Sequence, residues 1–148
     1  MQILENCSLF LENLISYKTN AKKEDVPKLA KHIFQNISAL GVTAGERIYF
    51  TENEKEEKNI EILIPIKGEI NEREEYGHKD LFKLVNAVTI RHEGSIADMK
   101  KTEEKLEEYI KQKSYDVITP YYYNIIRLDD NPCDCIVDVY VGVNYNRL

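Results

Sequence analysis

Two carboxylates stand out in the sequence, because each interrupts a run of alternating apolar residues. Glu61 lies within residues 60–66 and Asp138 within residues 136–143. Successive side chains of a strand point to opposite faces, so both acids lie opposite the Ile and Val rows of their strands. A carboxylate beside aromatic rings suits an organic cation, through charge and cation–π attraction, or a polar aromatic molecule. The two acids are therefore the candidate binding chemistry of this chain.

Tyrosines accompany the two acids in the sequence pattern. A shift of 74 positions pairs Tyr49 with Tyr123, and Tyr121 shares a face with Tyr123. Alternation in this tyrosine run is ambiguous, since Tyr122 and Asn124 could equally face the acids. A solvated acid and a tyrosine selected for strand propensity would give the same pattern. The candidate ligand contacts are Tyr49, Glu61, Leu63, Tyr121, Tyr123, Asp138 and Tyr140, with no catalytic residue among them.

The elements that must position these residues occur twice in the same order. In the first set, residues 8–18 are expected to form a strand, although their alternation is poor. Acids and a Pro at 24–27 begin a helix. Two strands at 47–51 and 60–66 follow, joined by an acidic tip at 52–59. The apolar side of the helix carries Leu29, Ile33, Ile37 and Leu40, and Gly41 is expected to cap its end.

The second set repeats this order after a polar stretch. Its expected elements are a strand at 84–91, a helix capped by Ser95 and Asp98, and strands at 121–127 and 136–143 around a turn at 129–132. The apolar side of that helix carries Ile96, Met99, Leu106 and Ile110. Matching positions differ by 73 for Ser16 and Thr89, by 74 for Gly45 and Thr119, and by 77 for Glu61 and Asp138. A nearly constant shift indicates an internal duplication.

These elements predict an α+β fold made of duplicated strand-helix-strand-strand units. The expected architecture has antiparallel sheets, helices on one face and a groove between the copies. Copy one spans about 8–66, a connector spans 67–83, and copy two spans about 84–144. At 148 residues the chain is expected to be one domain, 1–148.

Composition narrows the classes of function. A net charge of -6 argues against a nucleic-acid partner, because such binders concentrate Lys and Arg on one face. The sequence carries no basic leader and no apolar run of membrane-spanning length, so we expect a cytoplasmic protein with no membrane partner. Three cysteines, an odd number, predict reduced thiols, and the spacing of Cys133 and Cys135 is not that of a zinc site. We expect no metal and no cofactor.

Short motifs in the second half resemble the gyrase-inhibitor-like family, which includes the effector-binding domains of multidrug-sensing transcription regulators. His92 and Gly94 form a His-x-Gly before the second helix, and Asp138 lies in the final strand. In the first half, residues 64–66 read Ile-Pro-Ile, similar to the Pro-Val ending of the family's final strand. The resemblance implies a two-copy fold around a groove that takes hydrophobic cations. It also implies a stand-alone member, because no DNA-binding helix-turn-helix precedes the first unit.

Three functions remain open from the sequence. The first is a small-molecule-binding protein that takes a hydrophobic cation or an aromatic compound in a groove lined by Tyr and acidic residues. The second is a protein–protein inhibitor, such as an immunity or antitoxin protein, whose acidic tip and Glu72, Glu74 and Glu75 attract a basic partner. The third is a hydrolase of reactive compounds, in which an acid activates water and a Tyr hydroxyl supplies a proton.

Overall fold

Strands and two helices alternate along the computed structural model, which describes residues 2–39, 41–45, 47–69, 76–127 and 135–144. The fold is α+β. A short 3₁₀ turn precedes each helix, at Lys23–Asp25 and at Ile96–Asp98. The elements are β1 Ile3–Thr19, α1 Val26–Ala39, β2 Thr43–Ala44, β3 Ile48–Glu52, β4 Ile60–Lys67, β5 Gly77–Gly94, α2 Met99–Gln112, β6 Asp116–Arg127 and β7 Cys135–Asn144.

All strand pairs in the described chain are antiparallel, and the strands form one sheet in the order β1-β5-β7-β6-β3-β4-β2. β1 also pairs with β4, so six of the strands make a closed circuit and β2 extends from β4. Leu14, for example, is opposite Pro65 of β4 on one side and Lys79 of β5 on the other. The circuit gives the sheet two distinct faces.

Both helices cover the same face, which we call the helix face. α1 buries Val26, Ala30, Ile33 and Ile37, and α2 buries Met99, Thr102, Leu106 and Ile110. These spacings of three and four place one apolar stripe on each helix. The stripes pack against the alternating rows of β4 and β7, which are Ile60, Ile62, Ile64 and Ile66, and Cys135, Val137, Val139, Val141 and Val143. The two apolar rows predicted from alternation therefore form the main core.

The opposite face, which we call the helix-free face, has a smaller cluster of its own. Its buried members are Leu9, Leu11, Leu14, Tyr49, Leu63, Leu84 and Ala87. Strands that are not neighbours contact each other here: the rings of Phe82 on β5 and Tyr122 on β6 have centroids 4.9 Å apart. This ring contact joins β5 and β6 on the helix-free face.

An asparagine with positive φ explains the poor alternation of β1, and a second one has the same effect in β5. Asn13 and its counterpart Asn86 in β5 have positive φ, 55° and 53°, a conformation that Asn tolerates better than most residues. The alternation changes at these points, so Leu11 and Leu14, three residues apart, both belong to the helix-free cluster. Leu84 and Ala87 do the same in β5.

The two halves of the chain have closely matched geometry. We define the first half as β1, α1 and β2 to β4, and the second half as β5, α2, β6 and β7. α1 and α2 are 14 residues each and begin at Val26 and Met99, 73 positions apart. Lys18 of β1 and Arg91 of β5 are also 73 positions apart, and they lie opposite Glu61 and Asp138. β4 and β7 therefore match at a shift of 77.

Three strands begin earlier than the sequence pattern predicted. β1 begins at Ile3 rather than residue 8, and β6 at Asp116 rather than residue 121. β5 begins at Gly77, inside the segment 67–83 that was predicted to be a connector. The polar composition hid this strand, whose backbone hydrogen bonds to β1 do not depend on apolar side chains. Residues 70–75 and the predicted turn at 129–132 lie outside the described residues.

Candidate functional site

Glu61 lies on the helix-free face, as alternation predicted. Its Oε2 accepts a hydrogen bond from the Ser16 hydroxyl at 2.5 Å and lies 3.1 Å from Lys79 Nζ. The carboxylate side chain is 16% exposed. Lys79 is 42% exposed, so only the carboxylate side of this ion pair is buried, and the serine adds a charge-assisted hydrogen bond to it. The charge of Glu61 is thus already matched within the protein.

Asp138 lies on the same face, with a different partner. Arg91 Nε donates to Oδ1 at 2.8 Å and Nη2 donates to Oδ2 at 3.1 Å, a two-point pairing. The hydrogen bond to Asp138 raises the pKa of Arg91. The Arg91 side chain is 52% exposed while that of Asp138 is 15% exposed. The guanidinium of Arg91 therefore lies partly in solvent, whereas the carboxylate of Asp138 is mostly buried.

The predicted tyrosines divide between the two faces. Tyr49 and Tyr140 lie on the helix-free face, where Leu63 also lies. Tyr121 and Tyr123 lie on the helix face instead: the Tyr123 ring stacks on Phe50 with centroids 4.5 Å apart, and its hydroxyl donates to Glu103 of α2. They do not share a face with Glu61 and Asp138, so the face expected for these two tyrosines is corrected.

Strand register explains the change of face. Phe50 is opposite Tyr123 and Thr51 is opposite Tyr122. In the first half Tyr49 is opposite Leu63 of β4, and in the second half Tyr122 is opposite Tyr140 of β7. Because β4 and β7 match at a shift of 77, the matching shift between β3 and β6 is 73, not the 74 used to pair Tyr49 with Tyr123. Tyr122 is therefore the counterpart of Tyr49, and it packs on the helix-free cluster. Three consecutive tyrosines carry no alternation signal, so only the register could decide between them.

A cavity of about 780 Å³ opens on the helix-free face beside Asp138. Of the predicted ligand contacts, Asp138 and Tyr140 line it. The remaining wall comes from β1 and β5, and sequence reasoning missed it because those residues meet Asp138 only through strand pairing. The lining residues are Gln2, Leu4, Cys7, Thr89, Arg91, Glu93, Asp138 and Tyr140.

Two titratable groups of this cavity, the Tyr140 hydroxyl and the Cys7 thiol, have raised pKa values. Burial raises the pKa of the Tyr140 hydroxyl, and the charge of Asp138 raises it further. Burial also raises the pKa of the Cys7 thiol, again with a contribution from Asp138. A thiol of raised pKa is a poor nucleophile, because the thiolate is the reactive form. Cys7 therefore lacks the lowered pKa of a reactive thiol.

Asn124 is the unusual polar residue of this face. It is 7% exposed and lies opposite Asp138 in the pairing of β6 with β7. Its side chain hydrogen-bonds the Tyr140 hydroxyl and lowers the pKa of that group, against the larger effect of burial. Its Oδ1 is buried and has no hydrogen-bond partner. An unpaired buried acceptor costs about 1–3 kcal/mol. Sequence alternation had left Asn124 open as a residue that could face the acids.

A second cavity, of about 890 Å³, lies where the starts of the two helices approach the acidic tip at 52–59. Its walls are mostly charged side chains of both signs, among them Lys22, Lys100, Glu54 and Glu56. Below it, Lys23 Nζ contacts Glu103 at 2.5 Å and Glu52 at 3.5 Å. Lys23 thus lies next to Glu52, the first residue of the acidic tip.

The described histidines and cysteines do not form a metal site. No group of three His, Cys, Asp or Glu side chains comes together there. His92 bonds the Thr102 hydroxyl at 2.6 Å and the Ser95 carbonyl at 2.7 Å, so it ties the end of β5 to α2. Cys135 is buried in β7, and Cys133 lies outside the described residues.

Within the described ranges, neither helix has the length and apolar character needed to cross a membrane.

Comparison with solved structures shows the fold. No protein-family profile matches the sequence, and no curated protein matches it. The crystal structure of the EcmrR C-terminal domain superposes with a TM-score of 0.68 at 12% identity, covering 97% of this chain and 99% of that domain. EcmrR in a complex with DNA gives a TM-score of 0.70 at 12% identity, covering 96% of this chain and 57% of the EcmrR chain.

A hydrolase from Listeria innocua also superposes, with a TM-score of 0.59 at 10% identity, covering 97% of this chain and 91% of that one. The chain spans a little over half of the EcmrR chain in the DNA complex and has the fold of the EcmrR C-terminal domain. This fold is consistent with the resemblance to the gyrase-inhibitor-like family.

Proposed function

We propose that this chain is a small-molecule-binding domain of the gyrase-inhibitor-like family, whose ligand occupies the cavity beside Asp138. The observation that carries the proposal is the composition of that cavity, which combines apolar and aromatic side chains with an ion pair in a volume of about 780 Å³. Ligand pockets are typically about 300–1,000 Å³, mostly apolar, with a few placed polar groups. Leu4 and Tyr140 supply the apolar and aromatic surface, and Arg91 with Asp138 supplies the polar group.

The ligand class follows from the charges. Asp138 is compensated by Arg91, so an incoming cation competes with the guanidinium for the carboxylate. Arg91 is half exposed, so its guanidinium can regain water where an incoming cation takes its place. Glu93 also lines the cavity and adds a second negative charge. An aromatic cation therefore suits the cavity better than an aromatic anion.

We also propose that the two halves arose by duplication and that their helix-free faces form the predicted groove. The matched helices, the paired positive-φ residues and the equal placement of Glu61 and Asp138 support this. On this proposal Tyr49, Glu61 and Leu63 line the first half of the groove. Their ligand contacts, like those of Tyr121 and Tyr123, stay predictions. The inhibitor and hydrolase functions also stay predictions, as does the possible protein partner.

A fluorescence titration with rhodamine 123, an aromatic cation, tests the function. Replacing Leu4 by Trp fills the cavity from a side chain that is 49% exposed, so the fold should tolerate it. Replacing Leu81, which is 52% exposed and is not among the cavity-lining residues, is the matched control. We expect saturable binding that Leu4→Trp weakens by about tenfold or more and Leu81→Trp leaves unchanged. Absence of saturable binding, or equal binding by the two variants, would overturn the proposal.

A further inference from the structure

We infer that the ligand donates a hydrogen bond to Asn124 Oδ1, so that the cavity selects aromatic compounds with an N–H group over fully alkylated ones. The inference rests on the proposed function and names the ligand chemistry of the same site. It starts from the buried Oδ1 of Asn124, which has no partner, while the rest of the same amide bonds the Tyr140 hydroxyl. Native proteins keep few such orphaned groups, and those they keep call for a specific cause.

The other half of the molecule shows that the fold does not need this unpaired oxygen. Thr51 lies 73 positions before Asn124, opposite Tyr122 of β6 just as Asn124 is opposite Tyr49 of β3. Thr51 is 8% exposed, and its hydroxyl donates to the Tyr121 carbonyl at 2.8 Å. The equivalent position is thus filled by a side chain whose donor is satisfied. The second half has the amide side chain of Asn124 at this position, and its Oδ1 has no hydrogen-bond partner.

The neighbours of Asn124 tell what kind of group would pair with it. Asp138 lies directly opposite it on β7 and presents a carboxylate, a second acceptor. Tyr140, its hydrogen-bonded neighbour, lines the cavity as Asp138 does. Asn124 is not among the cavity-lining residues, so on this inference the ligand displaces the Tyr140 ring and then meets two neighbouring acceptors. An amino group on an aromatic ring, with more than one N–H, matches both.

Two dyes of equal charge separate this inference from ordinary cavity binding. Rhodamine 123 and tetramethylrhodamine methyl ester share the ring system, the ester and the single positive charge, but only rhodamine 123 carries N–H groups. We expect rhodamine 123 to bind at least about tenfold more tightly, since one hydrogen bond worth about 1.4 kcal/mol gives that ratio. Fluorescence anisotropy at neutral pH measures both dissociation constants.

Replacing Asn124 by Thr copies the side chain of the equivalent position in the first half. This variant removes the amide and supplies a hydroxyl like that of Thr51, which the fold accommodates there. It should bind both dyes with equal affinity. Thr51→Val removes a hydroxyl at the matching place in the other half, and it should keep the preference for rhodamine 123.

Each outcome decides between the two proposals. If neither dye binds the wild-type protein, the proposed function fails. If both dyes bind equally and Leu4→Trp blocks both, the function stands and the inference is wrong. A preference for the alkylated dye, or a preference that persists in Asn124→Thr, also overturns it. Should Asn124→Thr fail to fold, as judged by circular dichroism, the comparison of the two dyes on the wild-type protein decides.

Discussion

Leu63 and Tyr140 occupy equivalent places in the two halves of the molecule, yet their surroundings differ. Leu63 is completely buried in the helix-free cluster, where it is opposite Tyr49. Tyr140, opposite Tyr122, is only partly buried and borders the cavity. The same arrangement of strands thus packs tightly around one position and stays open at the other. A few side chains, rather than the order of the strands, decide which half has an open cavity at this position.

The two acids, Glu61 and Asp138, also differ in how deeply their hydrogen-bond partners are buried. In the first half Ser16 gives its hydroxyl to Glu61, whereas its counterpart Thr89 gives its hydroxyl to the Val139 carbonyl at 2.8 Å. Glu61 therefore has a buried hydrogen-bond partner, Ser16, besides the partly exposed Lys79, whereas Asp138 is bonded by a half-exposed arginine. The acid of the second half can exchange its partner more easily.

The largest expected effect comes from truncating the two equivalent residues. Leu63→Ala should lower the free energy of unfolding by about 2–5 kcal/mol, because it leaves a cavity in a closed cluster. Tyr140→Ala should cost less, since this ring is partly exposed and already borders open space. Urea denaturation of both variants measures the difference. An equal or greater loss for Tyr140→Ala would show that the second half is not the looser one.

A smaller effect is expected at Gly142, which occupies the place of Pro65 in the first half. A Cβ at Gly142 would lie 2.7 Å from Thr119 Cγ2 and 3.2 Å from Leu84 Cδ1. Thr119 is held there, because it accepts from the Gly142 N–H and donates to the Pro120 carbonyl. Gly142→Ala should therefore destabilise the protein by about 1–3 kcal/mol.

Adding Thr119→Ser to Gly142→Ala should restore most of that loss. The second change removes Cγ2 and keeps the hydroxyl that bonds Gly142. Thermal unfolding followed by circular dichroism compares the single and the double variant. If the double variant is no more stable than Gly142→Ala alone, the clash with Thr119 is not the cause.

The helix ends offer a third comparison, with an effect of about 1 kcal/mol. Gly41 ends α1 with φ 78°, and Ser114 ends α2 with φ 58°. Both ends close with the same bonds, Val42 to Ile37 at 3.3 Å and Tyr115 to Ile110 at 3.1 Å. Left-handed backbone favours glycine, so Ser114→Gly should stabilise the protein by about 0.5–1 kcal/mol. Gly41→Ser should destabilise it by a similar amount. Changes in melting temperature of the same sign for the two variants would contradict the symmetry.

The smallest expected effect depends on pH and concerns the start of β1. Tyr109 and Tyr115 donate to the Glu5 carboxylate at 2.5 and 2.6 Å, and these bonds lower the pKa of Glu5 below its ordinary 4.5. A lowered pKa in the folded state stabilises the protein above pH 4.5, and this contribution disappears as the pH falls through the folded pKa.

Tyr109→Phe with Tyr115→Phe should therefore be less stable than the wild type at pH 7, and the gap should narrow below pH 4.5. Denaturant titrations at a series of pH values measure the gap. A gap that is constant from pH 7 to pH 3 would show that the carboxylate is not the group stabilised.

Much of the fold was predictable because local patterns carry it. Alternation in β4 and β7 placed Glu61 and Asp138 opposite the helices, and the structure confirms that placement. Helix stripes with a spacing of three and four predicted both helices. The early part of β5 was missed, because its polar side chains gave no strand signal although its backbone pairs with β1.

The candidate site was predictable only in part. Asp138 and Tyr140 were found from one strand, whereas Arg91, Cys7 and Thr89 join them from two others. The faces of Tyr121 and Tyr123 were assigned to the wrong side of the sheet, since a one-residue change of shift reverses every side chain of a strand. Asn124 could be singled out only when its hydrogen bonds were known.

The sequence by itself determined the order of the elements, the apolar rows and the face on which both acids lie, because alternation and helical spacing are properties of neighbouring residues. Only the tertiary structure decided the partners of those acids, the side of each tyrosine and the unpaired oxygen of Asn124. These depend on register between strands that are far apart in the chain, such as Arg91 opposite Asp138. Register is set by the pairing of whole strands and is not written in either strand alone.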